Sequence, residues 1–155
     1  RFVEVGVHLA RLAFALLGTL RGMSYIGVDP FEYDKAITPP ESTAQQLRDL
    51  GLEGDSDGAA ELKGEVRRGA EAKLALFPGR AELLPLQSVE AAARVPDRSV
   101  DGIFIDGDHS YAQVVRDLVA WEPKVRPGGF FSGHDFGNHP GVARAVLEMA
   151  ARGNR

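Results

Sequence analysis

The chain of 155 residues has room for one folded domain, and its 44% hydrophobic and 26% charged content matches soluble globular proteins, not disordered or fibrous ones. A domain of this size buries roughly 68–70% of its unfolded surface, and the absence of cysteine excludes disulfides, thiolate metal sites and cysteine nucleophiles and suits a reducing, cytoplasmic setting. A net charge of −4 argues against a nucleic-acid or anionic-membrane partner, and the longest apolar stretch, 12–17, is far too short to span a bilayer.

The first predicted element is the apolar run FVEVGV at 2–7, the pattern of a strand buried on both faces of a parallel sheet. Apolar residues at 9, 12, 13, 16, 17 and 20 then predict a helix over 8–20, and SYIGVDP at 24–30 predicts the second strand. From 31 to 80 the pattern changes. Two more polar helical segments, 41–50 and 59–76, flank the turn-rich GLEGDSDG, the composition of a surface excursion or of a lid over a substrate site. Strands return at 81–86, 100–106 and 128–135. The stripe Val114, Val115, Leu118, Val119 and Trp121 marks a helix over 112–125 that stops at PGG, and a last helix runs over 140–151 with Pro140 in its first turn. No repeat or low-complexity tract interrupts the pattern.

Alternating strands and helices predict an α/β fold, a Rossmann-like, doubly wound, mostly parallel sheet formed by one domain over 1–155, with 31–80 as a variable helical insert. In such sheets ligands bind outside the carboxyl ends of the strands, where strand order reverses. The predicted strand ends carry Glu4 and Gly6, Asp29, Gln87 and Ser88, Asp106 to His109, and Gly133 to Asp135. Asp and Gly also terminate strands and cap helices for structural reasons, but five polar strand ends together point to a site.

The first loop reads Gly6-Val7-His8-Leu9-Ala10, without the second and third glycines of a dinucleotide fingerprint, so NAD and FAD are disfavoured. Asp29 stands 23 residues after Gly6, the spacing of a carboxylate that grips a ribose diol. Adenosine without a pyrophosphate points to S-adenosylmethionine.

The run FIDGDHSYAQVVRDLVAWEPKVRPGGFFSGHDF, with VEVG and IGVDP upstream, resembles the class I S-adenosylmethionine-dependent methyltransferases. It is most similar to methyltransferase family 24, which is related to small metal-dependent O-methyltransferases. The resemblance is strong over 100–136 and weak over 31–80. It implies that Glu4 and Gly6 form the cofactor loop beside the methionine moiety, Asp29 holds the ribose hydroxyls, and Ser88 lies near the adenine. Asp106 would face both cofactor and acceptor, and with His134 and Asp135 would hold a divalent cation. The histidine departs from an oxygen-only set suited to magnesium and shifts preference towards manganese, iron or zinc. Ala10 departs too, standing where the family has a second glycine. The family sheet ends in two further strands, an antiparallel hairpin that is missing here, so strand five is expected at an exposed edge that a second copy of the chain would cover as a homodimer.

The function this implies is O-methylation of a small hydroxylated acceptor, with Asp108 or His109 as general base. Two alternatives stand beside it. GDH, GHD and GNH resemble fragments of two-metal phosphoesterase motifs, although the D-x-H pair expected after strand one is missing. A degenerate, non-catalytic binding domain is the other, for which Ala10 and His134 argue. Among single residues, His8 reads as a helix-opening residue, His139 as loop surface, and Trp121 as core.

Overall fold

The computed structural model describes residues 1–32 and 59–153. The predicted helix at 41–50 lies outside them. The chain order of the described elements is β1 (Phe2–Val5), α1 (Arg11–Thr19), β2 (Tyr25–Val28), α2 (Ala59–Leu74), β3 (Ala81–Leu84), α3 (Ser88–Arg94), β4 (Val100–Ile105), α4 (Tyr111–Trp121), a 3₁₀ turn (Glu122–Lys124), β5 (Val125–Gly133) and α5 (Pro140–Gly153). The five strands form one parallel sheet in the order β3-β2-β1-β4-β5. This is the α/β, Rossmann-like architecture expected of the sequence.

Strand alternation sends successive side chains to opposite faces. Val3, Val5, Ile26, Val28, Ile103 and Ile105 belong to a core that also holds buried residues of α3, α4 and α5. Phe2 and Tyr25 belong to the core on the other face, with Ala13 and Leu17 of α1 and Val66, Ala70 and Leu74 of α2. Val66, Ala70 and Leu74 recur every fourth residue, the spacing that puts one stripe of α2 on the sheet. The three layers follow from these two patterns.

Three local departures from the sequence expectation have identifiable causes. The first helix begins at Arg11 and not at residue 8, because His8 and Ala10 take left-handed backbone conformations, φ 48° and 52°. Ala10 thus adopts a left-handed geometry that glycine takes freely, at a cost of about 1–2 kcal/mol for a residue with a side chain. The short helix α3, over SVEAAAR, has no strong apolar stripe and is absent from the sequence reading. Finally, β5 begins at Val125 through a bulge: Val100 pairs Val125 while Gly102 pairs Phe130. Pro127 and Gly128 lie inside that irregularity, and an edge strand tolerates the lost donor.

Strand order reverses between β1 and β4. Gly6 sits at this point with φ +92°, and a Cβ there would lie 2.0 Å from the Asp106 carbonyl oxygen. Only glycine lets the loops after β1 and β4 pass so closely. The backbone closes the crossing through Asp106 N–H to Val5 O at 2.7 Å and Gly6 N–H to Val28 O at 2.8 Å. Among the described residues no helix is long and apolar enough to cross a membrane.

Candidate active site

A cleft of about 720 Å³ opens at the carboxyl ends of β1, β2 and β4, and Gly6, Asp29, Ser88, Asp106, Asp108 and His109 are among its walls. A second cleft of about 570 Å³ adjoins it beside β5 and α5, where apolar Phe131, Val142, Val146 and Met149 face Asp106, His109 and His134. Asp106 and His109 therefore form a wall common to both.

Asp29 is buried, and both its oxygens accept backbone N–H groups: Oδ2 from His8 at 2.8 Å, Oδ1 from Phe31 at 2.7 Å. The carboxylate thus ties the loop after β1 to the loop after β2. Burial is the main cause that lowers the His8 pKa. Lys73 of α2 reaches the same loop, donating to the Leu9 carbonyl at 2.8 Å.

Glu4 lies beneath this loop, not in the cleft. Its buried carboxyl accepts the Tyr25 hydroxyl at 2.6 Å and the backbone N–H of Ala13 in the first turn of α1. Burial pushes its pKa up to about 7, and the neighbouring Asp106 and Asp29 carboxylates add to the rise.

Ser88 lines the cleft but is committed to a buried network. Its oxygen accepts the Trp121 indole N–H at 2.9 Å, and its hydroxyl hydrogen-bonds Asp117, which also accepts Gln113 Nε2 at 2.8 Å. Trp121 is fully buried, as core packing required. Burial raises the Asp117 pKa. Glu32 lies on the same wall and accepts from Gln87 at 2.9 Å.

The loop after β4 is built by its own polar residues. Asp108 Oδ1 accepts the Ser110 N–H at 2.6 Å, and Ser110 caps α4 by accepting the Gln113 N–H. His109 is turned the other way, towards the end of β5. There Asp106, His134 and Asp135 bring ligand atoms within 4.8 Å of one another, three residues the sequence suggested as a metal set. His134 Nδ1 stands 3.1 Å from Asp135 Oδ2 and 3.7 Å from Asp106 Oδ1. These carboxylates raise the His134 pKa, Asp135 most strongly, and His134 in turn holds Asp135 below the usual carboxylate range. The donor set fits a divalent cation: carboxylates of two aspartates and one imidazole converge at the ends of β4 and β5.

His139 is the residue the sequence reading left on the surface. It is exposed, but its ring stacks on His109 with centroids 4.3 Å apart. The contact depends on Gly141, where a Cβ would lie 2.9 Å from both His109 O and Tyr111 N. The glycine-proline context after GNH was the one signal that α5 starts there.

A family model described as a methyltransferase domain matches residues 3–136. The chain belongs to this methyltransferase family. Membership implies S-adenosylmethionine as the methyl donor, and the cleft lies where such a fold binds its ligand. The O-methyltransferase NovP is a structural neighbour with a TM-score of 0.63 at 23% identity, covering 99% of this chain and 64% of that one. A protein from Corynebacterium glutamicum gives 0.57 at 14% identity, covering 97% and 62%. At these identities the likeness is one of fold, and the chain spans less than two thirds of either neighbour. No curated protein matches the sequence at a significant level. The hydrolase alternative loses its footing here, because the family model that matches is that of a methyltransferase domain.

Proposed function

We propose that this methyltransferase domain transfers the methyl group of S-adenosylmethionine to the hydroxyl oxygen of a small acceptor with the help of a divalent cation. The observation that carries the reading is the convergence of Asp106, His134 and Asp135, of which Asp106 lines both clefts and His134 the second. The cofactor occupies the larger cleft. Asp29 accepts the ribose hydroxyls there, and Gly6 leaves the loop open to the methionine moiety. Glu4 acts at one remove, holding the loop through Tyr25 and α1. The acceptor enters the second, more apolar cleft.

Methyl transfer is an in-line displacement: the sulfonium carbon–sulfur bond breaks as the oxygen–carbon bond forms, so alignment supplies much of the rate. A hydroxyl oxygen becomes a good nucleophile only when its proton leaves. Asp108 and His109 stand beside Asp106 to take that proton. A cation held by Asp106, His134 and Asp135 would orient the acceptor and lower its pKa. The carboxylates of Asp29 and Asp106 also suit a cationic donor.

Calorimetric titration with S-adenosylhomocysteine, with and without Mn²⁺, tests the reading. Binding is expected, and its absence under both conditions would overturn the proposal. Asp106→Ala is expected to abolish methyl transfer to hydroxylated acceptors while circular dichroism stays native. Full activity in that variant removes Asp106 from the mechanism.

A further inference from the structure

His109 is more than a base at the edge of this site. Its Nε2 lies 2.8 Å from Asp135 Oδ2 and 3.8 Å from Asp106 Oδ1. These are the two oxygens that His134 Nδ1 approaches at 3.1 and 3.7 Å. Four donor atoms thus alternate around a ring: Asp106, His134, Asp135, His109. Its sides span 2.8 to 3.8 Å. Ligands at about 2.1 Å from one cation stand about 3.0 Å apart in octahedral and about 3.4 Å apart in tetrahedral geometry. The four sides bracket both values, and sharing one cation requires the ring to close inward, because the four residues do not form one group within 4.8 Å.

The second observation is the orientation of His109. Its Nε2 is buried and makes no hydrogen bond, although an aspartate oxygen is only 2.8 Å away. A hydrogen bond would aim the nitrogen at that oxygen. Two ligands of one cation aim at the cation and meet each other obliquely, which is the arrangement here. Leaving such a nitrogen buried without a partner is destabilising, so a partner is missing from the protein's own atoms.

His139 does not share the role. With Asp135 and His109 it forms a second trio within ligand distance. However, its ring is stacked on His109 at an interplanar angle of 18°. The in-plane lone pairs of stacked rings run side by side and do not converge on one ion. His139 instead holds the His109 ring in its orientation.

We propose that His109 is a fourth metal ligand, so that the centre of two histidines and two aspartates selects a first-row transition dication over magnesium. The proposal rests on the metal-assisted reading above and leaves Asp108 to take the acceptor's proton. Imidazole ligands suit zinc, iron and cobalt, whereas magnesium prefers oxygen ligands and retained waters.

The test is titration of the metal-free full chain with Co²⁺ and with Mg²⁺, followed by calorimetry and by the visible absorption of bound cobalt. Co²⁺ is expected to bind at least about 100-fold more tightly than Mg²⁺. His109→Ala and the size-conserving His109→Gln should each weaken Co²⁺ by at least about tenfold and change its spectrum, while moving Mg²⁺ by less than about threefold. Equal affinities for the two metals, or an unchanged cobalt spectrum in folded His109 variants, would overturn the proposal. S-adenosylhomocysteine titration of the same samples separates the two readings. Cofactor binding without cobalt binding removes the metal centre alone, and cobalt binding without cofactor binding removes the methyltransferase reading alone.

Discussion

At the scale of single residues, the site depends on Gly6 and Glu4 for how its loops are held. Gly6 combines a backbone φ of +92° with a Cβ position 2.0 Å from the Asp106 carbonyl. Neither demand can be met by alanine, and relief would move the loop that carries Asp106. Gly6→Ala is expected to cost about 3–5 kcal/mol in urea denaturation, and a loss below 1 kcal/mol would show that the crossing can relax. Glu4 makes a different prediction, one of pH. Its folded pKa of about 7 lies above the ordinary 4.5, because burial favours the neutral carboxyl. The folded state therefore holds this proton more tightly than the unfolded chain. Its contribution is fully present below pH 4.5 and is lost as pH rises through about 7, a change of about 3 kcal/mol. Glu4→Gln keeps an acceptor for the Tyr25 hydroxyl and cannot ionise. Urea denaturation at pH 5 and pH 8 should show a clearly smaller loss in the variant, and parallel pH slopes would place the proton elsewhere.

At the scale of elements, α3 and α4 are joined by polar groups inside an apolar layer. Ser88 opens α3 and bonds both Trp121 and Asp117 of α4. Ser88→Ala would leave a buried indole N–H unpaired and a buried Asp117 short of one donor. A loss of about 2–3 kcal/mol is expected from denaturant midpoints, far more than the few tenths of an exposed serine. The sequence made much of this architecture legible, because strands buried on both faces are written as continuous apolar runs and their ends fall where chemistry collects. Asp106, His134 and Asp135 stand at such strand ends, and the resemblance to metal-dependent methyltransferases implied them as one set. What stayed hidden has physical reasons. Seven residues of α3 carry too few large apolar side chains to leave a period, and left-handed turns at His8 and Ala10 have no glycine to announce them. His139 meets His109 only because α5 comes back against the 109–111 turn at Gly141, a tertiary event with no local signature.

At the scale of the whole molecule, the larger cleft is assembled from parts that the unfolded chain keeps far apart. Gly6 follows β1, Asp29 follows β2, Ser88 begins α3, and Asp106 ends β4. A ligand held by all four binds the folded chain and has nothing to bind in the unfolded one, so it must raise stability by mass action. At about 100 times its dissociation constant, S-adenosylhomocysteine should add about 2.7 kcal/mol. For a chain of this size that corresponds to a rise in Tm of about 5–10 °C. The same experiment distinguishes the two halves of the site. Asp29→Ala cuts the tie between the loops after β1 and β2 and removes the proposed ribose acceptor, so its ligand-induced rise should largely vanish. Asp135→Ala lies at the β5 end, away from the larger cleft. It should keep most of the rise caused by the cofactor product and lose the additional rise caused by Mn²⁺ or Co²⁺. If both variants lost both effects, the two clefts would be one cooperative unit, and the division between cofactor wall and metal wall would not hold. If Asp29→Ala kept its full rise, the adenosine moiety would be gripped by residues other than those at the end of β2.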